Sequence, residues 1–348
     1  MRVLNTLPQE DLRDTAVAAQ AAEAAGYDGL LTMENKHDPF LAHAIAAVST
    51  RHIELGTSVA IAFPRSPMVV ANACWDLQIA SQGRFVLGIG PQIRPHNERR
   101  FSVPWSPPVP RLREYVQAMR AIWTTWEKSE NLQFEGHHYT FTLMPPYFKP
   151  PSYGMKMVPI TLAAVGPHAL RLAGEVADGV RLHGFCTRRY LVEKILPRVD
   201  EGLAKSARKR ENFEITGGGF IATGADEASV ARAVEVVRAR IAFYGSTPAY
   251  WPVLELDGLG DLGRELNTMT KQGRWAEMAS RVSDDVVRLF AAVGTHKELK
   301  GAIAERWGGI SDALNLRADG KSSDAVPPDL LRDIKQIPVR FREYKTVW

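Results

Sequence analysis

The sequence has only two cysteines, Cys74 and Cys186, among its 348 residues, which excludes a disulfide framework. It also lacks any run of about 18 apolar residues, the length that a membrane-spanning helix needs. The segment from Met1 to Gln9 has neither the basic nor the apolar region of a signal peptide. These absences predict a soluble cytoplasmic protein with no membrane partner.

The sequence also has no strong excess of charge of one sign. The chain has 43 Lys and Arg against 39 Asp and Glu, a net charge of +4, and no long basic block. This balance argues against a nucleic-acid partner but leaves room for an anionic small ligand. With 45% apolar and 24% charged residues, the composition is that of an ordinary globular chain with a large core.

Several chemical motifs are missing as well. Gly88-Ile89-Gly90 lacks the third glycine of a dinucleotide-binding fingerprint, and there is neither a Walker-type phosphate loop nor a serine elbow. His137 and His138 are adjacent, so on a strand they would face opposite sides, which is poor geometry for binding a metal. The sequence therefore predicts no metal site.

What the sequence does contain is a repeated alternation of short apolar runs with helical periods, the pattern of parallel βαβ units. In the clearest unit, Pro67 opens a helix that Gly83 ends, and the run Phe85 to Ile89 follows as a buried strand. Eight such units predict an α/β fold, a (β/α)8 TIM barrel that forms a single domain over residues 1–348. The predicted strands are residues 3–7, 28–33, 53–60, 85–89, 158–164, 179–183, 213–223 and 310–316.

Two segments interrupt this rhythm and are predicted to be insertions. Residues 129–157 contain an aromatic, β-forming stretch around Gly136, which predicts a small hairpin. Residues 245–285 hold prolines, a glycine cluster and short helical pieces, and we expect this insertion near the active-site face.

In a barrel of this kind the ligand site lies at the carboxyl ends of the strands, so the residues that follow each strand are the candidates. They are Glu34 and His37 after the second strand, Ser58, Val59 and Ala60 at the third, Gln92 and His96 after the fourth, Ala164, Gly166, Pro167 and His168 after the fifth, and His183 at the end of the sixth.

Several motifs in this framework are shared with a known family. They are Gly26-Tyr27-Asp28-Gly29, Leu55-Gly56-Thr57, Arg65-Ser66-Pro67, the run from Ser81 to Gly90, and Gly166-Pro167 followed by Ala173 to Gly179. In their order and spacing the chain resembles the bacterial-luciferase-like flavin and deazaflavin oxidoreductases. It looks closest to the branch that depends on coenzyme F420.

The resemblance implies a cofactor site with a non-proline cis peptide bond at Ser58-Val59, behind the cofactor ring. We expect the phosphate of the cofactor at Gly166-Pro167-His168, because a helix amino terminus offers unpaired N–H groups and glycine allows close approach. A second phosphate candidate is Thr187-Arg188-Arg189, which could equally be a solvated basic helix start. The full set of expected cofactor-binding residues is Ser58, Val59, Ala60, Ala164, Gly166, Pro167, His168 and His183, although His183 could instead be a hydrogen-bonded core histidine.

For proton transfer, His37 is the best candidate, because a histidine after this strand can give or take a proton near neutral pH. Relatives often have Glu-His or Asp-His in this loop, whereas here Asn35 follows Glu34 and the histidine comes later. Glu34 is expected to hold the ring or a polar group of the substrate. Gln92 and His96 are expected to face the substrate.

The resemblance implies a coenzyme F420-dependent oxidoreductase that transfers a hydride between the deazaflavin and an unidentified organic substrate. One alternative is a monooxygenase that uses reduced FMN, and another is a non-catalytic flavin-binding barrel. The substrate is expected to be a small apolar or aromatic molecule, and the assembly a homodimer.

Overall fold

The computed structural model describes residues 1–316 and 326–345, and the chain divides into two compact units. The N-terminal unit consists of Leu4–Arg181, Arg198–Glu214 and the chain end from Phe341, and the C-terminal unit of Met1–Val3, Leu182–Pro197 and Ile215–Arg340. Residues 317–325 and 346–348 of the predicted domain lie outside the described residues. That residues 1–348 form one domain stays a prediction.

The N-terminal unit is built on parallel strands that alternate with helices. Its strands are β1 (Arg2–Thr6), β2 (Gly29–Thr32), β3 (Glu54–Thr57), β4 (Ala60–Ile61), β5 (Phe85–Gly90), β6 (Phe134–Glu135), β7 (Thr140–Phe141), β8 (Ile160–Ala164) and β9 (Gly179–Leu182). Its helices are α1 (Thr15–Ala25), α2 (Leu41–Ser49), α3 (Pro67–Ala80), α4 (Arg94–Arg99), α5 (Pro108–Lys128) and α6 (Pro167–Val176). Neighbouring strands follow the order β1-β2-β3-β5-β8-β9, with β4 beside β5.

Local sequence signals explain why these elements begin and end where they do. Helix α3 begins after Ser66, whose side chain accepts a hydrogen bond from the Met68 amide, and Pro67 occupies its first turn, where a missing N–H has no cost. Helix α1 ends at Gly26, whose φ of 93° is the left-handed conformation that glycine adopts readily. Within 129–157, strands β6 and β7 form an antiparallel pair.

The C-terminal unit contains four further strands and the remaining helices. A continuous helical run first consists of α7 (Arg188–Tyr190), a π-helical turn (Leu191–Ile195) and α8 (Leu196–Lys205), which ends in the N-terminal unit. Then follow β10 (Glu214–Gly217), β11 (Phe220–Gly224), α9 (Glu227–Gly245), α10 (Trp251–Leu256), α11 (Gly260–Lys271), α12 (Asp284–Phe290), β12 (Ala291–Thr295), α13 (Leu299–Trp307), β13 (Ala313–Asn315) and α14 (Pro328–Lys335). Strand β10 pairs with β13 and β11 pairs with β12, both in parallel. Among the residues described, no helix is both long and apolar enough to cross a bilayer.

The predicted strand 213–223 is wrong as a single element. The chain leaves β10 at Gly217 and Gly218, whose φ angles of 85° and 96° interrupt the extended backbone, and it resumes as β11. A methyl group on Gly219 would lie 2.5 Å from Arg306 Nε and 2.7 Å from Trp307 Cζ2, so this turn has no room for side chains. Strand β12 was not predicted, because it follows α12 directly with no turn residue to mark its start.

Close approach of β3 and β5 fixes the floor of the N-terminal unit below the strand ends. The Thr57 hydroxyl donates to the Gly88 carbonyl at 2.6 Å and accepts from the Gly88 amide at 2.9 Å. A methyl group on Gly88 would lie 2.0 Å from the Thr57 carbonyl oxygen, which is far inside van der Waals contact. Only glycine therefore fits at this position.

We predict that Gly88→Ala lowers the free energy of unfolding by about 3 kcal/mol or more, because the new methyl group must push two strands apart. Chemical denaturation measures this loss. Gly301→Ala is the matched control, since nothing lies within 4 Å of its Cβ position in α13. It should stabilise the protein by about 0.5–1 kcal/mol. Equal effects of the two substitutions would contradict the assignment.

Candidate active site

An ion pair organises the loop that follows β2. Both carboxylate oxygens of Glu34 accept from Arg65 Nη1 at 2.8 Å, and Glu34 Oε2 also accepts from the Ile61 amide at 2.6 Å. The Glu34 side chain is only 6% exposed. Burial lowers the pKa of the Arg65 guanidinium, but the bonds to Glu34 and then Asp38 outweigh burial and raise that pKa above its ordinary value. Glu34 therefore holds the loop against β4.

Further hydrogen bonds fix both ends of the same loop. Arg65 Nη2 donates to Asp38 Oδ2 at 3.1 Å, and Asp38 Oδ1 accepts from the Phe40 amide at 2.8 Å. The Gln9 side chain accepts from the Met33 amide at 3.0 Å and donates to the Asp38 carbonyl at 3.1 Å. The segment between these anchors contains His37.

His37 is exposed, and its ring has no hydrogen bond or ion pair to any residue that the structure describes. By contrast, His43 on α2 is fully buried, and its Nε2 lies 3.0 Å from Thr32 Oγ1 and 2.9 Å from the Gly56 carbonyl oxygen. Burial lowers the pKa of His43 to about 4, so this histidine is a neutral link between β2 and β3. Of the two histidines, only His37 is accessible for proton exchange with a ligand.

An apolar wall lies at the carboxyl ends of β3, β5 and β8. The Ser58–Val59 peptide bond is cis, as the resemblance implies, and both residues are half-buried, whereas Ala60 is buried. A methyl group on Gly90 would lie 3.2 Å from Val59 Cγ2 and 3.1 Å from Ala163 Cβ. These small and branched side chains are thus in one patch, and the buried Ala164 follows directly.

The start of α6 follows this wall along the chain. Gly166 is the N-cap residue, no side chain caps the helix, and Gly166, Pro167 and His168 are all exposed. Within the described residues, the amides of His168 and Ala169 have no protein acceptor. Nothing lies within 4 Å of a Cβ position at Gly166. These unpaired N–H groups and the positive end of the helix dipole form a site that suits an anion.

The loop after β5 carries Gln92 and His96, both half-buried. Gln92 has a φ of 57° and its side-chain oxygen accepts from the Ile93 amide at 2.9 Å. The buried Asn97 holds the loop in place, because its side chain donates to the carbonyls of Pro91 at 2.9 Å and Ile93 at 3.1 Å. His96 accepts through its carbonyl from the Arg100 amide at 3.1 Å.

His183 belongs to the C-terminal unit and is half-buried among aromatic rings. Its Nδ1 accepts from the Phe185 amide at 3.0 Å. Its ring stacks on Tyr250, with 4.9 Å between the ring centroids, and meets Tyr244 edge-on at 4.5 Å. Burial lowers the pKa of His183 to about 4, so the ring is neutral at physiological pH.

The C-terminal unit also has a cavity of about 690 Å³. Thr187, Arg188 and Arg189, the second phosphate candidate, contribute to its lining. All three side chains already have protein partners, because Thr187 donates to Asp257 Oδ2 at 2.7 Å, Arg188 to the Arg306 carbonyl at 2.7 Å and Arg189 to Glu193 Oε1 at 2.9 Å. This pairing weakens the case for a phosphate there.

In the structure Glu34 follows the carboxyl end of β2, Val59 follows that of β3, and Ala164 ends β8, all strands of one parallel sheet. Sequence reasoning missed the anchoring roles of Arg65, Asn97 and Gln9. The shared motif Arg65-Ser66-Pro67 was a usable signal for Arg65, whereas nothing in the sequence marks Gln9, whose contacts are 24 and 29 residues away.

Comparisons with known proteins place the chain in context. It matches the family model described as luciferase-like monooxygenase over residues 2–310. An uncharacterized protein of Mycobacterium tuberculosis is 45% identical over 314 residues, which are 90% of this chain and 92% of that protein. An F420-dependent glucose-6-phosphate dehydrogenase of Intrasporangium calvum is 33% identical over 210 residues, 56% of this chain and 60% of that one.

Among solved structures, the coenzyme F420-dependent tetrahydromethanopterin reductase from Methanopyrus kandleri matches with a TM-score of 0.75 and 18% sequence identity. The match covers 97% of both chains. The eight parallel strands β1, β2, β3, β5, β8, β9, β10 and β13 and this shared fold confirm the predicted (β/α)8 barrel.

We predict that Arg65→Met lowers the free energy of unfolding by about 3 kcal/mol, because it leaves the Glu34 carboxylate nearly buried without its cation. Urea denaturation at pH 7 measures the loss. Arg13→Met is the control: it also breaks an arginine–carboxylate pair, with Asp11, but the Arg13 side chain is 90% exposed. The control should leave the unfolding free energy unchanged within error. If Arg65→Met leaves the free energy of unfolding unchanged, the ion pair does not hold the loop.

Proposed function

The chain belongs to the luciferase-like monooxygenase family, and we propose that it is a coenzyme F420-dependent oxidoreductase that acts on a small organic substrate. The observation that carries this proposal is the pairing of an apolar wall at Val59 with open amides at the start of α6. Val59 follows β3 and α6 follows β8, two strands of one parallel sheet that both flank β5, and barrel enzymes bind their ligands at such strand ends. A cofactor with a planar ring and an anionic tail matches these two features, because the ring can contact the apolar wall and the tail can accept from the amides.

The wall fits a flat cofactor ring because its members are small or project one branched side chain. Gly90, Ala163 and Ala164 occupy little volume, and the half-buried Val59 has apolar surface left to contact a ring. We assign Ser58, Val59, Ala60 and Ala164 to the ring. The hydride is supplied or accepted by the bound deazaflavin, so the protein needs to bind, orient and exchange a proton.

The start of α6 fits the anionic tail. Pro167 has no N–H, so the first available donors are the amides of His168 and Ala169, and both lack protein acceptors in the described chain. The absence of a side chain at Gly166 leaves these donors open. Gly166, Pro167 and His168 therefore form the proposed phosphate site.

We assign proton exchange to His37. It is accessible and unpaired in the described structure, and its loop is held at both ends by Gln9 and Arg65. Glu34 is already saturated by Arg65 and the Ile61 amide, so its proposed role is to position the loop. Gln92 and His96, both half-buried on the loop after β5, are proposed to face the substrate. His183 is considered separately below.

The second candidate is a monooxygenase that uses reduced FMN, which the description of the family model favours. The same wall and helix start would accept the flavin ring and its phosphate. A non-catalytic flavin-binding barrel has less support, because the relatives with named activities include reductases and a dehydrogenase. We also propose a cytoplasmic homodimer, which light scattering of the purified protein would test.

Cofactor titration separates the first two candidates. F420 added to the purified protein should bind tightly, and its intrinsic fluorescence provides the signal. FMN, titrated in the same buffer, should bind at least about tenfold more weakly. Tight FMN binding without F420 binding would overturn the proposal in favour of the monooxygenase.

His168→Glu should raise the dissociation constant for F420 about tenfold or more, because a carboxylate at the start of α6 repels the anionic tail. Gln272→Glu, which adds the same charge at another exposed position, is the matched control and should leave F420 binding unchanged. A His168→Glu variant that binds F420 like the wild type would place the phosphate elsewhere.

His37→Gln should lower kcat about 100-fold or more without weakening F420 binding, because it removes the proton donor and no buried contact. The assay follows deazaflavin absorbance with a panel of small ketones and alcohols. His52→Gln, an exposed histidine at the start of β3, is the control. Unchanged kcat in His37→Gln would assign the proton to another group.

A further inference from the structure

A cluster of aromatic side chains surrounds His183 in the C-terminal unit. We define the His183 cluster as His183, Phe185, Phe220, Tyr244 and Tyr250. His183 and Phe185 follow the carboxyl end of β9, Phe220 begins β11 just after β10, and the tyrosines come from the end of α9 and the start of the 245–285 insertion. The cluster therefore lies beside strand ends. Phe185 belongs to a hydrophobic core that α9, α11 and α12 build, and Phe220, Tyr244 and Tyr250 pack against that core.

The histidine in this cluster has a defined protonation state. Because Nδ1 accepts the Phe185 amide, the single proton of the neutral ring lies on Nε2. Burial keeps the ring neutral, since it lowers the pKa to about 4. Among the described residues, none accepts a hydrogen bond from Nε2–H.

The direction of this donor is fixed by ring packing. Tyr250 lies against one face of the imidazole with 29° between the ring planes, and Tyr244 meets it at 83°. The ring centroids of Phe185 and Tyr250 are 5.6 Å apart, and those of Phe220 and Tyr244 are 6.4 Å apart. A methyl group on Gly184 would lie 2.6 Å from the Phe220 ring, so that ring is also confined. The hydrogen bond at Nδ1 and these ring contacts together define the direction of the Nε2–H bond.

The other polar atoms of the cluster are also unpaired. The hydroxyls of Tyr244 and Tyr250 make no hydrogen bond with other described residues, and both side chains are half-buried. No charged side chain belongs to the cluster. Buried aromatic cores normally pair their polar tips with protein groups, so these unpaired tips on half-buried rings indicate groups that meet a ligand or water.

We propose that the His183 cluster binds the organic substrate, with the aromatic rings contacting a planar apolar body and His183 Nε2–H donating to a carbonyl oxygen. This substrate class, an aromatic ketone or aldehyde or the matching alcohol, rests on the proposed function. The neutral donor and the lack of charge in the cluster favour a neutral acceptor over a carboxylate or phosphate. His183 is then a substrate-binding residue rather than the cofactor-binding residue expected from the sequence.

A matched pair of probes tests the hydrogen bond. Acetophenone and α-methylstyrene have the same shape, but only the first has a carbonyl oxygen. Both are titrated into the protein loaded with oxidised F420, which cannot reduce the ketone, and dissociation constants are measured by NMR. Wild type should bind acetophenone about fivefold more tightly than α-methylstyrene. Equal binding would overturn the proposal.

Two variants identify the atom that donates the hydrogen bond to the carbonyl oxygen of acetophenone. His183→Phe keeps an aromatic ring but has no donor, so it should bind both probes with the affinity of wild type for α-methylstyrene. Tyr250→Phe should keep the preference for acetophenone. If Tyr250→Phe loses the preference and His183→Phe keeps it, the donor is Tyr250 and the proposal is wrong.

His183→Phe also removes the acceptor of the Phe185 amide, which can prevent the variant from folding. A measurement on the wild-type protein therefore tests the hydrogen bond directly. In wild type, acetophenone should shift the Nε2–H resonance of His183 downfield, and α-methylstyrene should not. The absence of any differential shift would overturn the proposal even if the variant does not fold.

The same titrations are repeated without cofactor. If the protein binds no F420 but still discriminates the probes at His183, the proposed function fails and this inference stands. If F420 binds and the protein does not discriminate the two probes, the proposed function stands and this inference fails.

Discussion

The ion pair between Arg65 and Glu34 is the contact on which the candidate site depends. It joins a loop after β2 to the segment between β4 and α3, two parts of the chain that lie 31 residues apart. The same guanidinium reaches Asp38, which in turn caps the start of α2. A nearly buried carboxylate needs a cation close by, and the arginine needs acceptors for its fork of donors. Each group therefore stabilises the other in a place that neither could occupy alone.

Much of the fold could be predicted because its helices and strands follow from the local spacing of apolar residues. The helix opened by Pro67 and the buried strand from Phe85 are each encoded within about a dozen residues, and their bounds agree closely with the structure. Prediction failed where local signals conflict with packing. The triple glycine at 217–219 was interpreted as part of one strand, but the turn exists because Arg306 and Trp307 occupy the space beside it.

The candidate site was predictable in position but less so in role. Strand-end logic selected Glu34, Val59 and His183 as candidates, because each follows or ends a predicted strand. It could not tell that Glu34 would be saturated by a distant arginine, or that His43 would be buried while His37 is exposed. Those distinctions depend on tertiary neighbours that no short window of sequence contains.

The pairing of β11 with β12 has a consequence for how this chain can diversify. All five residues of β11 pair in parallel with those of β12, so Gly224, where the long excursion begins, is paired with Thr295, and Ala291, where it ends, is paired with Phe220. The excursion therefore starts and ends at opposite ends of one two-stranded sheet and must cross its length. Within that constraint its loops can lengthen or shorten at little entropic cost. Tyr250 is part of that excursion. Changes in the loops of this excursion can therefore alter the surroundings of Tyr250 while both strands of the pair stay in place.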